Sequence, residues 1–227
     1  AAGFGRIILP DTLGVLNPFN TFELVTETVK RYPGVEFEFH AHNDYGLAAA
    51  NSLAAVKAGV KGVHVTVNGL GERTGNVDLA QIVTNIHDHT DLTTKVKEKK
   101  LKDISMLVET FSGKRIAANM PVLGNDVFTQ TAGIHADGDK KGNLYVSRLT
   151  PDRFDRNRDY ALGKLSGKAS LEINLQKLRI NLNDEQKEKL LQKIVELGDL
   201  KKSVTVDDLP FLVADMLGGQ RYKTFRV

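Results

Sequence analysis

Val35–Asp78 reads VEFEFHAHNDYGLAAANSLAAVKAGVKGVHVTVNGLGERTGNVD. Its opening, Val35–Asn43, alternates in character and carries His40-Ala41-His42. On a strand, residues i and i+2 leave the same face, so both imidazoles point the same way. Two neutral imidazoles side by side can chelate a divalent ion; the competing reading is a solvent-facing polar strand end. Phe37, Phe39 and Ala41 place this strand in a core, which favours the metal. Downstream, Gly62–Asn68 (GVHVTVN) is a β-branched run that reads as a buried strand, and Val77–His87 reads as a helix. Between them lies the glycine-rich turn Gly69–Asn76 (GLGERTGN). Such a turn opening a helix presents backbone N–H groups to an anion. The spacing G-x-G-x-x-x-G is one residue too long for a dinucleotide fingerprint, and that function is set aside. Taken alone, Asn76 reads as the N-cap of the following helix, and Glu72 with Arg73 as a local ion pair.

Working outward, the N-terminal side supplies a strand, Arg6–Leu9, ending at Pro10-Asp11-Thr12. Asn17-Pro18 then opens a helix, Phe19–Arg31, with Phe22, Leu24, Val25 and Val29 as its apolar face. Pro33-Gly34 breaks that helix before Val35. An alanine-rich helix, Gly46–Ala58, follows the paired histidines and stops at Gly59. Strands alternating with helices over short connections point to parallel βαβ units. Three strands are visible, whereas a closed parallel barrel of this kind has eight. Thr12, His40, His42, Asn68 and Asn76 all fall at or just past strand C-terminal ends, the face where such barrels carry their chemistry. Asp44 is read either as a partner that orients a histidine or as a helix cap. His64 is read as a satisfied core group or a support behind the ligands rather than a ligand, and His87 and His89 as solvent-exposed.

The composition excludes several classes. With 227 residues, 41% hydrophobic and 26% charged, the chain is ordinary for a globular protein with a core. A net charge of +3 and no basic stripe interleaved with aromatics give no case for nucleic acid. Zero cysteines exclude disulfides, thiolate metal sites and a cysteine nucleophile, which fits a reducing cytoplasm. No apolar run reaches membrane-spanning length, so no membrane partner is expected.

FHAHND followed by NGLGERTGN resembles the paired signature of the 2-isopropylmalate, citramalate and homocitrate synthase family. The likeness continues through LPDTLG (Leu9–Gly14), GIHADGD (Gly133–Asp139) and ALGKLSGKASL (Ala161–Leu171). The resemblance implies metal-dependent (β/α)8 barrel enzymes that condense acetyl-CoA with a 2-oxo acid. It makes the three strands the sixth, seventh and eighth. The fold class expected is thus α/β: the last three βα units of a TIM barrel, followed by a small, mostly helical subdomain. Residues 1–90 are then the partial barrel, 91–150 a linker and lid-like subdomain, 151–220 the helical subdomain, and 221–227 the start of a further regulatory domain. Roughly five βα units would precede the chain by the barrel arithmetic.

The same resemblance implies site residues. His40, His42 and Asn76 become ligands of a divalent metal ion (Mg2+, Mn2+ or Zn2+). Thr12, Asn68, Glu72 and Arg73 become substrate-binding. His135 matches a histidine of acid–base work acting across a homodimer, with Tyr145 its companion and Tyr160 a rival. HADGD lacks the EF-hand spacing and is not read as a calcium loop. Lys164–Lys168 (KLSGK) is read as structural in preference to a coenzyme A phosphate cradle, since the P-loop pattern is missing. Expected substrates are acetyl-CoA and 2-oxoisovalerate, giving 2-isopropylmalate; pyruvate, giving citramalate, is the alternative acceptor. A non-catalytic dimerisation or regulatory module is the reading from a different class, distinguished by failure to bind Mn2+ or Zn2+. The first-strand acidic ligand that the resemblance implies is not in this sequence, so the chain alone is expected to be inactive. Two capping signals close the reading: Asn183-Asp184-Glu185-Gln186 before an amphipathic helix, and Thr205 before a last helix.

Overall fold

The computed structural model describes residues 3–130, 138, 147–164, 166–200 and 204–218. His135 and Tyr145, with most of the GIHADGD segment, lie outside the described residues. The chain divides into two compact units. One comprises Ala1–Val127 with Arg153–Asp155, the other Phe128–Asp152 with Arg156–Val227.

The first unit holds a three-stranded parallel sheet: β1 (Arg6–Asp11), β2 (Glu36–Ala41) and β3 (Gly62–His64), with β2 in the middle. Arg6 registers with Glu36 and Asp11 with Ala41, while Glu38 registers with Gly62 and His40 with His64. The two-residue period of β2 sorts its side chains. Phe37, Phe39 and Ala41 are buried, packed in a core with α1 and α2 residues such as Val25 and Ala55. Glu36, Glu38 and His40 leave the opposite face. Helix α1 (Pro18–Arg31) starts where Asn17 accepts from the Phe19 and Asn20 N–H groups, both at 3.0 Å, with Pro18 in the first turn where its missing N–H costs nothing. Its apolar face is narrower than the sequence indicates: Val25 is buried, but Phe22 and Leu24 are exposed, because the face turned to α2 is centred on Thr21 and Val25.

Helix α2 (Ala48–Ala58) begins where Asn43 Oδ1 accepts from Ala48 N–H at 3.1 Å. It ends at Gly59, whose φ of 110° is left-handed. Strand β3 is shorter than the expected Gly62–Asn68. Thr66 pairs with the chain beyond the glycine turn, through Thr66 N–H to Val77 O and Leu79 N–H to Thr66 O, and Val67–Gly69 close into a 3-10 turn. Asn68 sits there at φ 61°, a conformation its short amide side chain tolerates. Helix α3 runs Leu79–His89, two residues later than Val77–His87, because Asp78 is its cap, accepting from Gln81 N–H at 3.0 Å. Helix α4 (Leu101–Ser112) stops at a left-handed Gly113.

The second unit pairs two short parallel strands, β4 (Thr129–Gln130) and β5 (Asp159–Tyr160). Its helices are α5 (Lys168–Lys177), α6 (Asp184–Asp199) and α7 (Leu209–Met216). They bury Leu171, Leu175, Leu190, Ile194, Leu209 and Val213 together. Both capping signals are realised: Asn183 with Gln186 opens α6, and Thr205 with Asp208 opens the turn into α7. Gly167 is the N-cap of α5, and Lys164 and Lys168 pair with Asp199 and Glu188, so the described part of KLSGK is engaged structurally.

Candidate metal centre at the strand ends

The chain leaves β2 at Ala41, and its next residues are sutured to the glycine turn. Val77 N–H donates to Ala41 O at 3.2 Å, Asn43 N–H to Gly75 O at 2.9 Å, and His42 and Asn76 form an isolated antiparallel bridge. Thirty-odd residues of sequence therefore separate two neighbours in space. The turn depends on Gly75, at φ 89°, where a side chain would overlap the Gly69 carbonyl oxygen. Asn76 is relieved of the capping role by Asp78. Its Nδ2 donates to Leu70 O at 2.9 Å, which fixes the amide and leaves Oδ1 buried with no hydrogen-bond donor.

The three imidazoles gather on the face opposite the core. The His40 ring centroid lies 5.2 Å from His42 and 5.6 Å from His64, edge-on to both. His42 keeps a buried ring nitrogen, Nδ1, without a partner. Burial, with the neighbouring His42 and His64, holds His40 below the ordinary imidazole value and so in the neutral form that metals require. A cavity of about 330 Å³ is lined by His40, His64, Val65, Thr66 and Asn76. Behind it, His64 Nε2 meets Glu38 Oε2 at 2.8 Å, and Glu38 also meets Arg6 Nη1 at 2.9 Å. The hydrogen bond to His64 is the main reason the Glu38 carboxyl titrates below its usual range. This pairing was legible in principle, since Glu38 stands two residues before His40 and so on its face.

A buried carboxamide oxygen and a buried ring nitrogen, both lacking a donor, beside a neutral imidazole, are a donor set that a borderline or hard cation satisfies. Among the described residues no three His, Cys, Asp or Glu side chains gather as a ligand group. The chain thus offers imidazole nitrogens and one amide oxygen, a donor set whose chemistry fits a divalent ion.

The other candidates divide. Asn68 donates through Nδ2 to Ser105 O at 3.0 Å on α4, and its Oδ1 is buried without a partner. Glu72 is exposed and lies 3.8 Å from Arg73, the weak end of an ion pair. Arg73 makes its hydrogen bonds elsewhere: Nε and Nη2 grip Asp44 at 2.8 and 3.0 Å, and Nη2 also donates to Thr12 O at 2.8 Å. Asp44 is thus held chiefly by Arg73, with His42 within electrostatic reach, while Asn43 takes the bond at the start of α2, and Thr12 meets this network through its carbonyl. Asp11, passed over in the sequence, is 4% exposed and accepts from Val15 and Leu16 N–H, holding the LPDTLG turn.

His87 corrects the expectation of solvent exposure. Its Nδ1 donates to Glu98 Oε1 at 2.8 Å, and its Nε2 accepts from Thr94 N–H at 3.0 Å. Arg153 grips the same Glu98 at 2.5 and 2.7 Å and both Asp88 oxygens at 2.9 Å. Nothing in a lone histidine at a helix end signals partners 11 and 7 residues away.

Comparison with known proteins bears on this site. Residues 1–108 match the HMGL-like family model, and residues 122–202 match a model described as homocitrate synthase post-HMGL domain-like. A homocitrate synthase of Sulfurisphaera tokodaii is 40% identical over 215 residues, covering 90% of this chain and 46% of the relative. A protein of Archaeoglobus fulgidus whose name gives 2-isopropylmalate synthase is 38% identical over 214 residues, 93% of this chain and 42% of the relative. One of Methanopyrus kandleri whose name gives (R)-citramalate synthase is 36% identical over 218 residues, 96% and 43%. The chain spans less than half the length of each. No helix among the described residues is long and apolar enough to cross a membrane. With both models matched in order and these relatives aligned along most of its length, the chain belongs to the HMGL-like family that includes the homocitrate, 2-isopropylmalate and citramalate synthases.

Proposed function

We propose that this chain is part of an acyltransferase that performs a Claisen-type condensation of acetyl-CoA with a 2-oxo acid. The observation that carries the reading is Asn76, which bridges to His42 through the backbone and whose amide is fixed by Leu70 O, leaving a buried, unpartnered Oδ1. In this reading His40, His42 and Asn76 hold a divalent metal ion, Mg2+, Mn2+ or Zn2+, at the rim of a TIM barrel to which β1–β3 contribute. When bound, the ion supplies Lewis-acid polarisation of the acceptor's keto group.

The chain's own residues then divide the remaining work. His40, kept neutral by burial, and His42 orient the site from one strand face. In this reading Thr12 receives the acceptor's carboxylate, Asn68 belongs to the same substrate site, and Glu72, exposed on the turn beside Arg73, meets a substrate. His135, with Tyr145, moves protons from a partner subunit of a homodimer. The bond changes balance: the acetyl methyl loses a proton, the resulting carbon attacks the keto carbon, the keto oxygen takes up a proton to become a hydroxyl, and water cleaves the thioester to give a carboxylate and coenzyme A.

The acceptor carried over from the resemblance is 2-oxoisovalerate, with pyruvate as its rival; 2-oxoglutarate joins them because relatives named homocitrate synthase match equally well. The test is coenzyme A release by the complete protein with acetyl-CoA and each of the three acids. Turnover with 2-oxoisovalerate well above the others supports the finer reading, and no release with any acid overturns the condensation itself. The 227-residue chain alone is expected to release none, since three strands close no barrel.

A further inference from the structure

Three motif segments that sequence treats separately, LPDTLG, HAHND and GERTGN, meet at one guanidinium. Arg73 forks onto Asp44 with two parallel bonds and donates a third to Thr12 O, so it joins the turns that follow β1, β2 and β3. Asp44 stands two residues after His42, and Arg73 three before Asn76. Two independent features show that the backbone is shaped around this contact. Arg73 sits at φ 56°, a left-handed conformation that a long side chain adopts only where its surroundings hold it there. Gly14, at φ 61°, allows the first turn to close on the fork; a Cβ there would lie 2.8 Å from Asp44 Oδ2 and 2.9 Å from His42 O.

We infer that Arg73 is a positioning residue: through Asp44 and the Thr12 carbonyl it sets the separation of the turns that carry His42 and Asn76. The inference rests on the metal reading for its purpose, but not for its geometry. The Nε–H and Nη2–H donors of Arg73 are consumed by the other turns, and Nη1 lies toward Glu72 Oε2 at 3.8 Å. A bidentate fork fixes direction as well as distance, which a lysine ammonium does not. The pair is partly exposed, so its contribution to global stability is small. Its effect is local, on the cross-turn bonds Asn43 N–H to Gly75 O and Val77 N–H to Ala41 O.

The experiment compares Arg73→Ala, Asp44→Ala, the double variant and Arg73→Lys in the metal-free chain. Amide hydrogen exchange is read at Asn43 and Val77, with Lys61, bonded to Phe37 O within the sheet, as control. Mn2+ affinity is measured alongside by electron paramagnetic resonance. Each single alanine variant is expected to speed exchange at Asn43 and Val77 by about tenfold or more, leaving Lys61 unchanged. The double variant should add nothing, because one contact is being removed twice. Arg73→Lys should recover only part of the protection. Mn2+ affinity should fall about tenfold, as it does when a group supporting metal ligands is lost. Wild-type exchange in Arg73→Ala, additive single effects, or full recovery by lysine each overturn the inference. If an alanine variant does not fold, Arg73→Lys and Asp44→Asn decide it by the same exchange rates. His42→Ala separates the two readings: unchanged Mn2+ binding in that variant overturns the metal centre, while the exchange rates still judge Arg73.

Discussion

Glu38 and His64 are bonded side chain to side chain across two strands, Oε2 to Nε2, at 2.8 Å. The carboxylate is held ionised, chiefly by this bond. It therefore accepts the hydrogen bond from Nε2–H, so that in the neutral ring Nδ1 carries the lone pair, on the imidazole that packs edge-on against His40. Nitrogen chemical shifts of His64 should report the Nε2–H tautomer in the wild-type chain and a mixture in Glu38→Ala. A ring that keeps one tautomer without Glu38 counts against the pairing.

Asn76→Ala retains the backbone bridge to His42 but removes the unpartnered Oδ1. Loss of a direct ligand should exceed the loss from a supporting group, so Mn2+ affinity is expected to drop by more than about tenfold, beside a stability loss of about 1 kcal/mol from the missing bond to Leu70 O. Equal affinity in variant and wild type would remove Asn76 from the ligand set.

Gly75→Ala tests the turn itself. At φ 89°, with the Gly69 carbonyl oxygen occupying the space of a side chain, both strain and overlap oppose the substitution. Denaturant unfolding should show a loss of about 2 kcal/mol or more. A neutral result would mean the turn is not built as described.

Glu98 supplies a pH dependence. Its hydrogen bonds from Arg153, with His87 behind them, outweigh burial and hold its carboxyl below the ordinary 4.5. The folded-state value is the lower one, so this stabilisation is complete above 4.5 and is lost as pH falls through the folded value. Glu98→Gln should cost about 2 kcal/mol at neutral pH, where a charged hydrogen-bonding group is lost. Below pH 4.5 the difference between wild type and variant should shrink. A difference that is constant from neutral pH into the acid range would refute the assignment.

The parts of the fold that were readable are those governed by near neighbours. Asn17 and Asn183 announce their helices because a cap bonds two or three residues on. Phe37, Phe39 and Ala41 reveal the buried face of β2, and with it the shared face of His40 and His42, because the period of a strand is local. The end of β3 is not encoded locally, for the opposite reason. GVHVTVN has strand character throughout, but Thr66 spends its backbone groups on Val77 and Leu79, so pairing with β2 stops at His64.

The candidate site divides along the same line. Residue spacing established that two imidazoles share a face and that a glycine-rich turn precedes a helix, since both follow from bonds and contacts within a few residues. Whether Asn76 caps a helix or offers a bare oxygen was settled only by the fold, which gave the cap to Asp78. Folding likewise chose Asp44, 29 residues away, as the partner of Arg73, and Glu98, 55 residues away, as that of Arg153. Charged side chains have many permissible partners of opposite sign along a chain. Which of them meet depends on how the backbone brings distant turns together, and no short-range pattern encodes that.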